Sequence, residues 1–160
     1  MFIDAPRHRR GQACYHVGYR LPAEVTEASA RCGHIEVPRD HSKPDGEKIS
    51  VGVLKVPAKQ KSRGSLFINP GGPGGSVYDL FHNGSLTEIK WPQEIRNEWD
   101  IIAVQPRGLA ESTPLECELL PTSDPATLAN YGTKLKQACD EKQPSYMEQV
   151  NTNNTADNWE

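Results

Sequence analysis

The chain has 160 residues, 36% of them hydrophobic and 24% charged, with thirteen glycines, thirteen prolines and a formal net charge of −3. That length suits one domain, and the glycine and proline content predicts turns and irregular connections rather than long helices. The weak negative charge gives no footing for nucleic acid or an anionic membrane, and no run reaches the roughly 18 apolar residues of a membrane span.

Residues 1–31 show no period and read as an irregular lead-in; the basic cluster Arg7, Arg9 and Arg10 reads as a solvated arm. Met1 to Ala5 is too short for the apolar region of a signal peptide. The protein is therefore either cytosolic or a secreted one whose precursor begins further upstream. From residue 32 onward the chain reads as one domain. His34-Ile35-Glu36-Val37 alternates, Lys43-Pro44-Asp45-Gly46 is a turn signal in which proline sets one φ and glycine permits a positive one, and Ile49, Val51 and Val53 share a face. Together they predict an antiparallel hairpin over 34–57, followed by a charged loop from Ala58 to Arg63.

Two wholly apolar runs come next, Leu66-Phe67-Ile68 and Ile101-Ile102-Ala103-Val104, each ended by a polar residue and a proline. Such runs fit strands buried on both faces of a parallel sheet. Helical pieces at 76–82 and 92–99 between them make a βαβ unit. Asp124 and Pro125 then open a predicted helix over 125–141, with Leu128, Tyr131, Leu135 and Ala138 on one face. Asn153-Asn154-Thr155 reads as a helix start; a helix of six residues up to Glu160 is expected to be too short to bury a face.

The four cysteines, Cys14, Cys32, Cys117 and Cys139, have no zinc-site spacing and no histidine cluster, so no metal is expected. Of three possible connectivities the sequence-local one, 14–32 and 117–139, is preferred, each bridge adding about 3 kcal/mol; four separate thiols are the alternative. Sequons at Asn83 and Asn153 point with the cysteines to an oxidising, extracytoplasmic compartment.

The segment richest in chemistry is Asn69-Pro70-Gly71-Gly72-Pro73-Gly74-Gly75-Ser76, between a strand and a helical piece. Glycines let a ligand approach backbone amides, and a strand-to-helix turn aims those amides at negative charge, either a phosphate or the oxyanion of an acyl-transfer intermediate. Walker A fails because Gly75-Ser76-Val77 has no lysine, and G-x-G-x-x-G fails at Val77. Pro73 removes an amide that a phosphate cradle would use, whereas an oxyanion hole needs only one or two donors. Gly72 is the expected donor, Gly71 the second choice. A glycine-rich turn with no ligand is the structural alternative. No cofactor is called for.

The same loop carries a family resemblance. Gly64-Ser65-Leu66-Phe67-Ile68-Asn69-Pro70-Gly71-Gly72-Pro73-Gly74-Gly75-Ser76 is similar, almost residue for residue, to the oxyanion loop of the tripeptidyl-aminopeptidase-like and prolyl-aminopeptidase family of α/β-hydrolases. Cys32 to His41 with Pro44 resembles the family's opening. Trp99-Asp100-Ile101-Ile102-Ala103-Val104-Gln105-Pro106-Arg107-Gly108 resembles its next strand and arginine-glycine turn, and Ser112 to Cys117 resembles the segment after that turn. Thr155-Ala156-Asp157 looks like the helix before the nucleophile elbow.

The resemblance implies an α/β fold, specifically the N-terminal portion of an α/β-hydrolase domain over 32–160, truncated before that elbow. It implies a secreted serine exopeptidase acting on small peptides, with Arg107 and Gly108 as a structural turn. The family usually has aspartate where Gln105 stands and glycine where Ala110 stands; the lost carboxylate, expected to help brace the turn through Arg107, either loosens the oxyanion side of the site or marks a divergent branch. No serine sits in G-x-S-x-G, so the catalytic serine, acid and histidine are expected after Glu160, and the chain is expected to be inactive alone. His34, His41 and His82 are expected to have surface or structural roles. The alternatives are a non-catalytic or vestigial hydrolase-fold protein, or a related esterase or epoxide hydrolase.

Overall fold

A computed structural model describes residues 30–72, 74–79, 92–118 and 125–159. The lead-in with Cys14, and also Pro73, His82, Asn83, Trp91 and Asp124, lie outside the described residues.

Four strands form one mixed sheet: β1 (Arg31–Pro38), β2 (Lys48–Val56), β3 (Ser65–Ile68) and β4 (Asp100–Val104), in the order β1-β2-β4-β3. The hairpin forms as the alternation predicts, antiparallel, with Val37 opposite Ile49 and Ile35 opposite Val51. Its turn closes with Gly46 N–H donating to the Lys43 carbonyl, which puts Pro44 at the second turn position. Gly46 is not among the positive-φ residues; it ends the turn, and the positive φ expected of it is not used. Next, β2 pairs antiparallel with β4, and β3 lies parallel to β4 with Ile68 opposite Ala103. Between β3 and β4 runs α1 (Gln93–Glu98), so the strand–helix–strand arrangement is present.

Side chains alternate across the sheet, and both faces of its centre are covered. On one face Leu54, Val56, Ile101 and Ala103 pack with Val77 and Tyr78. On the other, Ile49, Val51, Ile102 and Val104 pack with Val37 and Tyr146, flanked by Leu115, Val150 and Trp159. The face of Ile49, Val51 and Val53 read from the sequence is thus half of what β2 buries. Full burial holds for β4, which has a neighbour on each side. It does not hold for β3, which among the described residues pairs with β4 alone and leaves Phe67 46% exposed.

The helix expected over 125–141 is broken into α2 (Pro125–Ala129) and α3 (Tyr131–Lys142). Asn130 between them sits at φ −119°, ψ 22°. A polar residue that competes for backbone hydrogen bonds, followed by Gly132 and the β-branched Thr133, makes this the weakest helical point of the stretch. Leu128, placed on the buried face from spacing, is exposed. α4 (Tyr146–Gln149) and α5 (Thr152–Ala156) come after it, the latter continuing as a 3-10 turn, Asp157–Trp159. Asn151, not Asn153, caps α5, its side chain accepting from Asn154 N–H.

The Cys117–Cys139 disulfide forms and pins α3 to the segment after β4. Cys32 is also disulfide-bonded, with a partner outside the described residues. No helix among the described residues is long and apolar enough to cross a membrane.

Candidate functional site

The glycine loop leaves the C-terminal end of β3, and the turn Gln105–Gly108 leaves the C-terminal end of its parallel neighbour β4. Ligand crevices of open α/β sheets lie at such ends, where connections diverge and amides face outward.

The loop is tight. Asn69 Oδ1 accepts from Gly71 N–H at 3.0 Å, folding the chain back after β3. Gly72 takes φ +135°, and a Cβ there would lie 2.9 Å from the amide nitrogens of both Gly74 and Gly75. Backbone cannot yield as a flexible side chain can, so the position admits only glycine. Gly71, the second-choice donor, spends its amide on Asn69. Gly72 N–H forms no hydrogen bond to a described residue, and both glycines are exposed. Gly74 and Gly75 belong to the same turn.

The loop's exit is held by β4's last polar neighbour. Gln105, 1% exposed, accepts from Val77 N–H at 2.9 Å through Oε1 and donates through Nε2 to the Ala110 carbonyl at 2.7 Å and to Ser76 Oγ at 3.1 Å. Ser76 Oγ in turn accepts from Tyr78 N–H, and Asp79 N–H donates to the Ser76 carbonyl. Ser76 Oγ thus takes up an amide two residues on, as an N-cap does, while the helical piece expected over 76–82 runs past Asp79 out of the described residues. The backbone of Gln105 is fixed as well: its N–H donates to the Gly52 carbonyl, and its carbonyl accepts from Ser112 Oγ. The turn carrying Glu111 lies directly over β2, where a Cβ on Gly52 would come 2.5 Å from the Glu111 carbonyl oxygen.

Beneath the loop exit, burial pushes the Tyr78 phenol up to about 12, with the Glu111 carboxylate adding to the effect. Tyr78 therefore stays protonated near neutrality and packs in the core. Trp99 packs its ring against Gly64.

Arg107, 1% exposed, points away from the loop. Its Nη1 donates to the Arg39 and Gln149 carbonyls and its Nη2 to the Pro38 carbonyl and to Asn158 Oδ1. The expectation that position 105 braces this turn through Arg107 is therefore corrected. Gln105 bonds to the loop exit and to Ala110, while Arg107 ties the turn to the hairpin and the C-terminal helices. Gly108 comes next at φ +85°, bridged to Pro114.

The short C-terminal helix does bury a face, contrary to expectation, and the face is polar. Asn154 and Asn158, one turn apart, are 8% and 5% exposed. His41 Nε2 bonds to Asn158 Oδ1, and Asn154 bonds to Gln149. The signal in the sequence was the i, i+4 asparagine pair, which a search for apolar spacing passes over. His34 bonds through its ring to the Glu111 carbonyl. Neither described histidine bonds to a serine. Asn153 is exposed on α5, with the sequon's Thr155 hydroxyl donating to the Asn151 carbonyl. No cluster of metal-ligating side chains occurs among the described residues.

No family model matches the chain. It is 36% identical over 90 residues to carboxylesterase B of Mycobacterium tuberculosis, covering 56% of this chain and 17% of that protein. It is 36% identical over 93 residues to the serine protease Hip1 of the same organism, covering 58% and 17%. With the tripeptidyl aminopeptidase of Streptomyces coelicolor it shares 31% over 90 residues, covering 54% and 16%. The chain thus matches about a sixth of the length of these curated relatives. Over that stretch it is a homologue of hydrolases, in agreement with the resemblance carried by the glycine loop and its flanking motifs.

Proposed function

We propose that the chain is the N-terminal part of the catalytic domain of a serine hydrolase, most simply an extracytoplasmic exopeptidase that removes short peptides or single residues from a free N-terminus. The observation that carries this reading is the Gly72 amide, exposed at the C-terminal end of β3 with no described partner, in a loop that only glycine can build. The Cys117–Cys139 disulfide supports the compartment.

In this reading Gly72 N–H is one oxyanion donor. A serine beyond Glu160 attacks the scissile carbonyl while a histidine accepts its proton, and negative charge collects on the carbonyl oxygen. A donor aimed at that oxygen, rather than at the ground-state carbonyl, lowers the barrier by roughly 3 kcal/mol. The histidine then protonates the leaving amine, the C–N bond breaks, and water hydrolyses the acyl-enzyme. Residues 30–159 supply the oxyanion side and its scaffold only; alone they do not turn over substrate.

An esterase is the second reading, favoured by the match to carboxylesterase B at the same identity. The oxyanion donor serves either leaving group. The test is the full-length protein on aminoacyl and tripeptidyl p-nitroanilides beside short-chain p-nitrophenyl esters. Turnover of the anilides supports the exopeptidase, and turnover of the esters alone supports the esterase. Inertness on both, with a folded protein, overturns the hydrolase reading; full activity of the 160-residue chain overturns instead the reading that the nucleophile lies beyond Glu160.

A further inference from the structure

We infer that Gln105 is a positioning residue for the oxyanion loop, acting through Ser76 and Val77 to set the direction of the Gly72 amide; the inference rests on the hydrolase reading above. A segment with four glycines in five positions has many backbone conformations open to it, and an amide that stabilises an oxyanion must be aimed before the charge develops. The loop therefore needs an anchor at each end. At the entrance, β3 and Asn69 Oδ1 hold Gly71. At the exit, the anchor is the Gln105 side chain.

Gln105's orientation is fixed by two partners that each work one way. Val77 N–H can only donate, so it must face Oε1, and the Ala110 carbonyl can only accept, so it must face Nε2. Both amide atoms are used, Ser76 Oγ takes a share of each, and the side chain is almost wholly buried. A carboxylate could accept from Val77 but has nothing to donate to the Ala110 oxygen 2.7 Å from Nε2. Glutamine is thus matched to a chain whose next turn offers a carbonyl at that point.

The two ends of the turn lie close together: a Cβ on Gly75 would stand 2.7 Å from the Gly71 carbonyl oxygen, and one on Gly72 would stand 2.9 Å from the amide nitrogens of Gly74 and Gly75. In this proposal a shift of Ser76 and Val77 is passed to Gly72 through those close approaches. Val77 is itself fully buried against Leu54 and Ile101, so losing the Gln105 bond leaves an unpaired amide in an apolar cluster.

The test compares the full-length wild type with Gln105→Met, which keeps the length and removes both hydrogen-bonding functions. If that variant does not fold, Gln105→Asn replaces it, too short to span Val77 and Ala110. Turnover is read on the substrate found above, together with affinity for a matching trifluoromethyl ketone, whose tetrahedral adduct presents an oxyanion. The expected result is a kcat lower by about 10- to 100-fold, somewhat less than removal of a whole donor, with KM within about threefold. Ketone affinity falls in step, while hydrogen exchange at the Val77 amide accelerates and the melting transition stays single. A kcat within about twofold of wild type, or a loss confined to KM, overturns the inference. If the wild type hydrolyses nothing, the hydrolase reading fails by itself. Exchange at Val77 and Gly72 then decides the anchoring: acceleration at both supports it, and unchanged exchange overturns it.

Discussion

Asn158 Oδ1 accepts a hydrogen bond from Arg107 Nη2 at 2.5 Å, so a side chain near the end of the described chain closes onto the turn after β4. The guanidinium is buried and its four acceptors are three backbone carbonyls and this amide, with the Asp157 and Asp40 carboxylates acting on it only through space. Neutral dipoles thus solvate a buried cation. Among the described residues they leave Arg107 Nε and Asn158 Nδ2 without partners.

That arrangement predicts opposite outcomes for two substitutions. Asn158→Ala strips an acceptor from a buried charge and should destabilise by about 2 kcal/mol. Asn158→Asp removes the unpartnered Nδ2 and places a carboxylate between Arg107 and His41, whose ring Nε2 already meets Oδ1. It should leave stability at neutral pH unchanged or raised by about 1 kcal/mol. Urea unfolding of both variants checks this, and equal losses would sink the account.

Replacing Gly72 by alanine puts a methyl group 2.9 Å from two amide nitrogens at a φ that disfavours side chains. Proteins with this change should remain folded, because the loop is exposed. Their kcat should fall by about 100-fold in the full-length enzyme. Asn69→Ala, which frees Gly71 from its entrance bond, should cost less, about tenfold. A Gly72→Ala enzyme as active as wild type would remove Gly72 from the oxyanion hole.

The hairpin was legible because Ile49, Val51 and Val53 alternate and Pro44 marks the turn; the sheet order is consistent with β4 being apolar over 101–104. The glycine loop was legible because few other residues can build it. Gln105 was misread: Arg107 is its nearest charge along the sequence, but its real partners, Val77 and Ala110, lie across a loop and a turn. Leu128 and the continuous helix failed where Asn130 overrides apolar spacing, a competition that a period of 3.6 does not register. The Asn154–Asn158 face was passed over for a similar reason: burial there is set by polar partners distant in the chain, such as His41 and Arg107, and not by hydrophobicity.

Breaking the Cys117–Cys139 bridge by a double change to serine should cost about 3 kcal/mol, the loop-closure value for a separation of 22 residues. The loss should be local as well as global. Gln143 still bonds to Glu116 and Pro114, and the Tyr146 hydroxyl still donates to the Thr113 carbonyl, so α4 should stay docked while α3 loosens. Hydrogen exchange would show protection lost over 131–142 and kept near Tyr146. Uniform loss across both helices would mean that the disulfide alone holds this layer to the sheet.

Asp100 sets an acid limit on the sheet's stability. A hydrogen bond from Lys55 holds its carboxyl below the usual range, helped by the Ala58 amide, while partial burial opposes the shift. The Lys55–Asp100 pair, 2.6 Å apart, joins β2 to the start of β4. Because the folded-state pKa is depressed, the carboxylate's contribution is fully present above the unfolded value near 4 and is lost as pH falls through the folded one. Below about pH 4 the unfolded chain binds the proton first, so stability should drop there. Asp100→Asn should lower stability at pH 7 and flatten the acid limb below about pH 4. Urea titrations at stepped pH read the difference, and a variant whose acid limb overlays wild type would show that the pair is screened by solvent and contributes nothing.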